Sequence, residues 1–172
     1  MSIDLCIRVS SPIGVGRLLP NIGAILAEIL GLTVHPQLIL HDMEDGRWIA
    51  LASDLLEEES NRSFYVSEVN APESVSVGVP GRYIFVTFSS ASSYFGKALA
   101  AAIAIALSKE MGTPIEDDSR YFVDALEYPP EKLIQALKVT GTHSDYHQAA
   151  NELEDRIASN LRERRDCGAD FP

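Results

Sequence analysis

Cysteine, tryptophan and basic residues are all scarce in this chain of 172 residues, which has two cysteines, one tryptophan and fourteen lysines and arginines. Cys6 sits in an apolar strand pattern and Cys167 in a polar tail, and neither belongs to a Cys-x-x-Cys pair. This argues against a disulfide framework as the source of stability. The N-terminus, Met1-Ser2-Ile3-Asp4, lacks the basic segment and continuous apolar run of a secretory signal, so a reducing cytoplasm is expected. Long apolar runs are missing too. The richest window, Ala98 to Leu107, is closed by Lys97 and Lys109 and is about half of the roughly twenty residues a bilayer requires, so it reads as a buried helix.

Against the few basic residues stand twenty-five Asp and Glu, giving a formal net charge of −11 and a pI near 4.7. Such a field repels a phosphate backbone, so neither nucleic acid nor an anionic membrane is an expected partner. It keeps a protein soluble, and it also steers a basic protein partner. With 46% hydrophobic and 23% charged residues the chain has the composition of a globular protein, and its length fits a single domain over 1–172.

Leu5, Ile7 and Val9 alternate with Cys6 and Arg8 as a half-buried strand that ends at Pro12 and Gly14. Pro20 can open a first helix of about 20–30, with Ile22, Ile25, Leu26 and Ile29 at helical spacing and Gly31 as stop. Val34 to His41 and Trp48 to Ala52 read as a hairpin around Asp45-Gly46. Asp54 to Arg62, with Glu57, Glu58 and Glu59, reads as an exposed loop or short helix. Strands are predicted at Ser63 to Val69, Ser74 to Val79 and Arg82 to Ser89. The last is apolar on both faces and therefore central, covered on both sides or covered on one and aromatic-rich on the other. Ala98 to Met111 is a strong helix with serine caps before it and Gly112 after it. An acidic segment, Ile115 to Asp124, leads to a third helix opened by Pro129-Pro130 and ended by Gly141. A fourth helix runs from Thr142 or Ser144 to about Arg165, with Asp145 in its first turn. Strands grouped before helices predict an α+β domain with two layers, a mainly antiparallel sheet of five to six strands packed against helices.

Candidate chemistry is sparse. Gly14-Val15-Gly16 stands where a dinucleotide fingerprint belongs, but Leu19 occupies the third glycine position, which favours a plain turn. Ser90, Ser92 and Ser93 with Lys97 can cradle an anion at a helix N-terminus or simply cap the helix. His143 and His147 are two potential ligands without an identifiable third, so no metal is expected. Glu116, Asp117 and Asp118 with Asp124 form the densest carboxylate patch, read as solvated or as a docking surface for Lys and Arg. No Gly-x-Ser-x-Gly elbow is present, and Trp48 reads as a core or hairpin-packing residue rather than a ligand platform.

The N-terminal strand, the run Tyr83-Ile84-Phe85-Val86-Thr87-Phe88, the helix Ala98 to Met111 and the exit Gly112-Thr113-Pro114-Ile115-Glu116-Asp117-Asp118 together resemble small bacterial α+β proteins, among them immunity proteins of polymorphic toxin systems. The resemblance is one of layout, strongest over about 82–124, and implies no individual site residue. The expected function is a non-enzymatic cytoplasmic binding protein, monomer or homodimer. It takes no cofactor and engages a basic toxin or nuclease through Glu57, Glu58, Glu59, Glu116, Asp117, Asp118 and Asp124. The alternative is a small-molecule enzyme or ligand-binding domain. Its pocket would lie between the sheet and helix one and use Arg17, the serines, Lys97 and a carboxylate such as Asp117.

Overall fold

A computed structural model describes residues 2–71 and 73–166. Cys167 and Pro72 lie outside the described residues.

The chain forms β1 (Ser2–Arg8), β2 (Ile13–Gly14), a 3-10 turn (Val15–Leu18), α1 (Leu19–Ile29), β3 (Leu38–Glu44) and β4 (Arg47–Ala50). It continues with β5 (Leu55–Leu56), β6 (Ser63–Glu68), β7 (Ser74–Gly78), β8 (Tyr83–Ser89) and α2 (Tyr94–Met111). The last elements are β9 (Ile115–Glu116), β10 (Glu127–Tyr128), α3 (Pro130–Leu137) and α4 (Tyr146–Asp166). Eight strands make one sheet in the order β10-β9-β1-β8-β7-β6-β3-β4, with every pairing antiparallel. The class is α+β as expected, but the sheet has eight strands rather than five to six. The additional two, β9 and β10, are two-residue pieces of the acidic segment and its exit. They are too short to show alternation, and β9 is extended only because Ile115 and Glu116 pair with Ile7 and Cys6.

Strand alternation divides the sheet into two unlike faces. Ile3, Leu5, Ile7, Phe64, Val66, Val75, Val77, Ile84 and Val86 point to one face and are buried. On the other, Asp4, Cys6, Tyr65, Ser76, Phe85 and Thr87 remain half-exposed. β8 is central, between β1 and β7, and is the second of the two alternatives above, buried on one face and aromatic on the other.

Helix α2 explains the alanine-rich run. It is buried continuously from Phe95 to Ser108, because it contacts α1, α3, α4 and the sheet together. Methyl side chains let all of these backbones approach closely. Ser93 caps it by accepting a hydrogen bond from the Gly96 amide at 3.1 Å, and Gly112 ends it at φ 64°. Helix α3 stops at Leu137 rather than running to Gly141, because the chain turns extended at Lys138 and the Val139 amide bonds to Ile29 O at the end of α1 (2.9 Å). Asp145 caps α4 rather than sitting in its first turn, its Oδ1 accepting from the amides of His147 (2.6 Å) and Gln148 (3.2 Å).

The expected hairpin forms as β3 and β4, with Asp45 (φ 48°) and Gly46 (φ 74°) turning the chain. Trp48 is a hairpin-packing residue and not a core one: it is 54% exposed. No described helix is long and apolar enough to cross a membrane.

Candidate functional site

Two positions that resembled anion cradles are filled by the chain's own carboxylates. The Gly16 amide donates to Asp54 Oδ2 at 2.6 Å, so the glycine turn holds an internal anion where a phosphate would have to sit. At the start of α2 the Ser93 amide donates to Glu73 Oε1 (3.3 Å), and Glu73 Oε2 lies so close to Gly96 that a Cβ there would meet it at 2.7 Å. The positive end of the helix dipole is thereby satisfied. Lys97 is 5% exposed, its Nζ lying 4.2 Å from the Tyr94 ring centre and 5.6 Å from that of Tyr121. Its ammonium packs against these aromatic faces.

The alternative ligand set does not converge. Arg17 pairs with Glu110 in the last turn of α2, whereas Ser93 caps the first. At about 1.5 Å per residue the two ends of this helix are roughly 25 Å apart. Ile22, Ile25, Leu26 and Ile29 of α1 are buried in the core.

The acidic loops are also separated. Glu57, Glu58 and Glu59 are exposed, and Glu58 pairs with Arg82 (3.1 Å) at the beginning of β8. The second loop packs Tyr121 and Phe122 on Phe88 near the end of β8, and its Asp124 pairs with Arg120 (3.9 Å). Within that loop Asp118 and Asp124 are exposed and Glu116 is half-buried. Asp117 is fully buried, accepting from Ser119 Oγ at 2.5 Å and Tyr128 Oη at 3.3 Å. Asp117 therefore organises the loop from inside and is no part of an exposed docking surface, because neighbouring hydroxyls take up its charge.

Nucleophilic chemistry finds no support at Cys6. Burial, then the carboxylates Asp4, Asp118, Glu116 and Asp117, push its thiol up to about 12, leaving almost no thiolate at neutral pH. His143 Nε2 shares a hydrogen bond of 2.7 Å with Glu152 Oε2, while Glu152 Oε1 accepts from Thr140 N (2.7 Å) and Gly141 N (3.0 Å). This is a structural latch between α4 and the loop before it. Among the described residues no group of three or more His, Cys, Asp or Glu is placed to hold a metal ion.

The strongest candidate lies elsewhere, on the β3–β4 edge of the sheet. Ile39, Met43, Trp48, Ile49 and Val69 are all exposed. Register places Met43 opposite Trp48 and His41 opposite Tyr65. Trp48 packs edge-on against His41 (4.0 Å between ring centres) and Tyr65 (5.3 Å). Beside this patch opens a cavity of about 340 Å³ whose walls include His41, Trp48, Ser67, Glu68 and Glu73. Glu68 is 2% exposed. Its Oε1 accepts from Gln37 N (3.3 Å), Asn70 Nδ2 (3.4 Å) and Tyr146 Oη (3.1 Å), and its Oε2 from Asn70 N (2.6 Å). All four donors are neutral. Burial, with the Glu68 hydrogen bond and charge, pushes the Tyr146 phenol up to about 12, so it remains a donor. His41 is 9% exposed, with Nδ1 3.5 Å from Ser67 Oγ and Nε2 buried without a partner. Burial lowers its basicity and favours the neutral ring.

None of these residues was singled out from the sequence as a site. The available signal was the lone tryptophan in a hairpin carrying Asp42, Glu44 and Asp45. That β4 is an edge strand, leaving Trp48 uncovered, is a fact of strand order. Comparison with protein-family models, characterised proteins and solved structures finds no match to this chain.

Proposed function

We propose that this protein is a non-enzymatic binding module that engages a basic protein partner through the β3–β4 edge. The observation that carries this reading is the exposed group of Trp48, Met43, Ile39 and Val69, with Trp48 opposite Met43 on one face, on a hairpin that also bears Asp42, Glu44 and Asp45. A large aromatic side chain surrounded by apolar neighbours is the composition of a binding hot spot, and the acidic rim supplies attraction to opposite charge. The edge strand β4 adds backbone donors and acceptors on its outer side that a partner segment can use. A net charge of −11 favours a basic partner over a second copy of this chain, whose like charge raises the cost of association. An inhibitor of a basic toxin or nuclease in the cytoplasm is the form of this reading that the layout resemblance supports. The exposed carboxylates Glu57, Glu58, Glu59, Asp118 and Asp124 then contribute to long-range steering rather than to the interface itself.

The test is affinity capture with the full chain at low salt, wild type against Trp48→Asp, followed by measured binding of the purified basic protein. The wild type should hold that protein and release it as salt rises, while the variant loses it with its fold intact by circular dichroism. Retention of the partner by Trp48→Asp, or capture of no basic protein at all, overturns the reading.

A further inference from the structure

We propose that His41 is a proton-operated support for Trp48: the neutral imidazole holds the indole in the exposed patch, and protonation drives the ring out of its place and loosens the patch. The consequence for a partner rests on the function proposed above. The ring packing itself is a property of the free chain.

Strand register brings the parts together. His41 lies opposite Ala50 of β4 and Tyr65 of β6, on the half-exposed face of the sheet, yet it is only 9% exposed itself. Its ring is enclosed between Trp48, edge-on at 4.0 Å between centres, and Tyr65, stacked at 6.2 Å. Nδ1 lies 3.5 Å from Ser67 Oγ, and Nε2 is buried with no partner. Either neutral tautomer therefore leaves Nε2 unsatisfied. The imidazolium fits worse still, since it adds a charge and has two N–H donors with one distant hydroxyl to receive them.

No carboxylate compensates that charge. Beside His41 on this face β3 presents Ile39 and Met43, β4 presents Trp48 and Ala50, and β6 presents Tyr65 and Ser67. The Tyr65 phenol is the one titratable group among them. Asp42, Glu44 and Arg47 alternate to the opposite face. Glu68 stands opposite Leu38 on the helix side of the sheet, and Glu73 is engaged at the start of α2. Consistently, burial alone lowers the basicity of His41, with no charged group contributing. Attraction of a cation to the Trp48 and Tyr65 rings opposes this, but it is weaker than the penalty for an unpaired ion out of water. The proton is thus taken up by a ring that has turned to solvent, and Trp48, packed against it, gives way. The packed arrangement has its full stability above the ordinary imidazole value of 6.5 and loses it as pH falls from there toward the lower value of the packed ring.

The test is a pH titration of the full chain followed by NMR of the histidine ring resonances, of which there are four sets. The set that shows contacts to Trp48 and disappears in His41→Gln belongs to His41. Its midpoint should lie below 6.5, and its contacts to Trp48 and Tyr65 should fade over the same pH range. Trp48→Ala uncovers the ring and should raise the midpoint toward 6.5, a result that remains informative if His41→Gln fails to fold. A midpoint at or above 6.5, a ring that stays neutral until the fold is lost, or Trp48 contacts that survive protonation would each overturn the proposal. Affinity capture at about pH 7.5 and about pH 5.5, on either side of the imidazole range, then reads the consequence. Wild type should release its basic protein at the lower pH, and His41→Gln should retain it at both. The ring transition without any basic partner leaves the switch standing and removes the docking function. A basic partner held equally by wild type at both pH values leaves the docking function standing and removes the switch.

Discussion

Replacing Gly31 by alanine tests whether the α1 terminus is locked to the loop before α4. Gly31 lies at φ 57°, a conformation that costs an L-residue roughly 1–2 kcal/mol. Gly112 shares that conformation at φ 64°, but they differ in surroundings. A Cβ on Gly112 meets nothing within 4 Å, whereas one on Gly31 falls 2.1 Å from the Gly141 carbonyl oxygen. That oxygen belongs to backbone and cannot swing aside as a side chain does. Relief requires the 139–143 segment to retreat, stretching the bonds from His143 N to Gly31 O (2.7 Å), Thr33 N to His143 O (2.8 Å) and Val139 N to Ile29 O (2.9 Å). Overpacking of this kind costs about 1–3 kcal/mol, and each weakened bond about 0.5–1.5 kcal/mol. Gly31→Ala should therefore destabilise the fold by about 3–5 kcal/mol and Gly112→Ala by only about 1–2 kcal/mol. At about 2–4 °C per kcal/mol for a chain of this size, differential scanning calorimetry should resolve the two clearly. Equal destabilisation would refute the steric reasoning and leave only the shared backbone cost.

Three further outcomes are expected. Backbone amides of Gly141 and Thr140 and the His143 ring hold Glu152 down to about 2, against an ordinary value of 4.5. The stability it contributes is thus present above pH 4.5 and disappears as pH falls toward 2, so the difference between wild type and Glu152→Gln in urea melts should shrink across that window. A difference that grows there contradicts the latch. Cys6, with its thiol near 12, should resist iodoacetamide in the native protein at neutral pH and react after denaturation, as read by peptide mass spectrometry. Lys97→Met should change thermal stability by less than about 1 kcal/mol, since the cation–π attraction of the ammonium is offset by the cost of burying its charge, and the substitution removes both. A larger destabilisation would show that Lys97 carries an interaction beyond Tyr94 and Tyr121.

The long elements were legible because each depends on its own residues. Period-two alternation at Leu5-Ile7 and along Tyr83–Ser89, the Pro20 and Gly31 bounds of α1, and the serine and glycine caps of α2 are local signals that no distant packing reversed. The strands β9 and β10 were not legible, since two residues are extended there only through partner strands elsewhere in the chain. The same limit applied to the site. Asp54 and Glu73 reach amides at positions 16 and 93, and Asp117 turns inward onto Tyr128, so the apparent anion cradles and part of the acidic patch were already occupied.

The amino-acid sequence by itself determined the class of the fold and the acidity, because composition and periodicity act through each residue's own hydrophobicity and backbone preference. Only the tertiary structure decided which carboxylates stay unneutralised and which apolar side chains stay uncovered. Trp48 is exposed because β4 falls at the sheet edge, and Glu68 is buried without a cation because neutral donors from residues 37, 70 and 146 surround it. Those are consequences of strand order and long-range packing, which no local pattern marks.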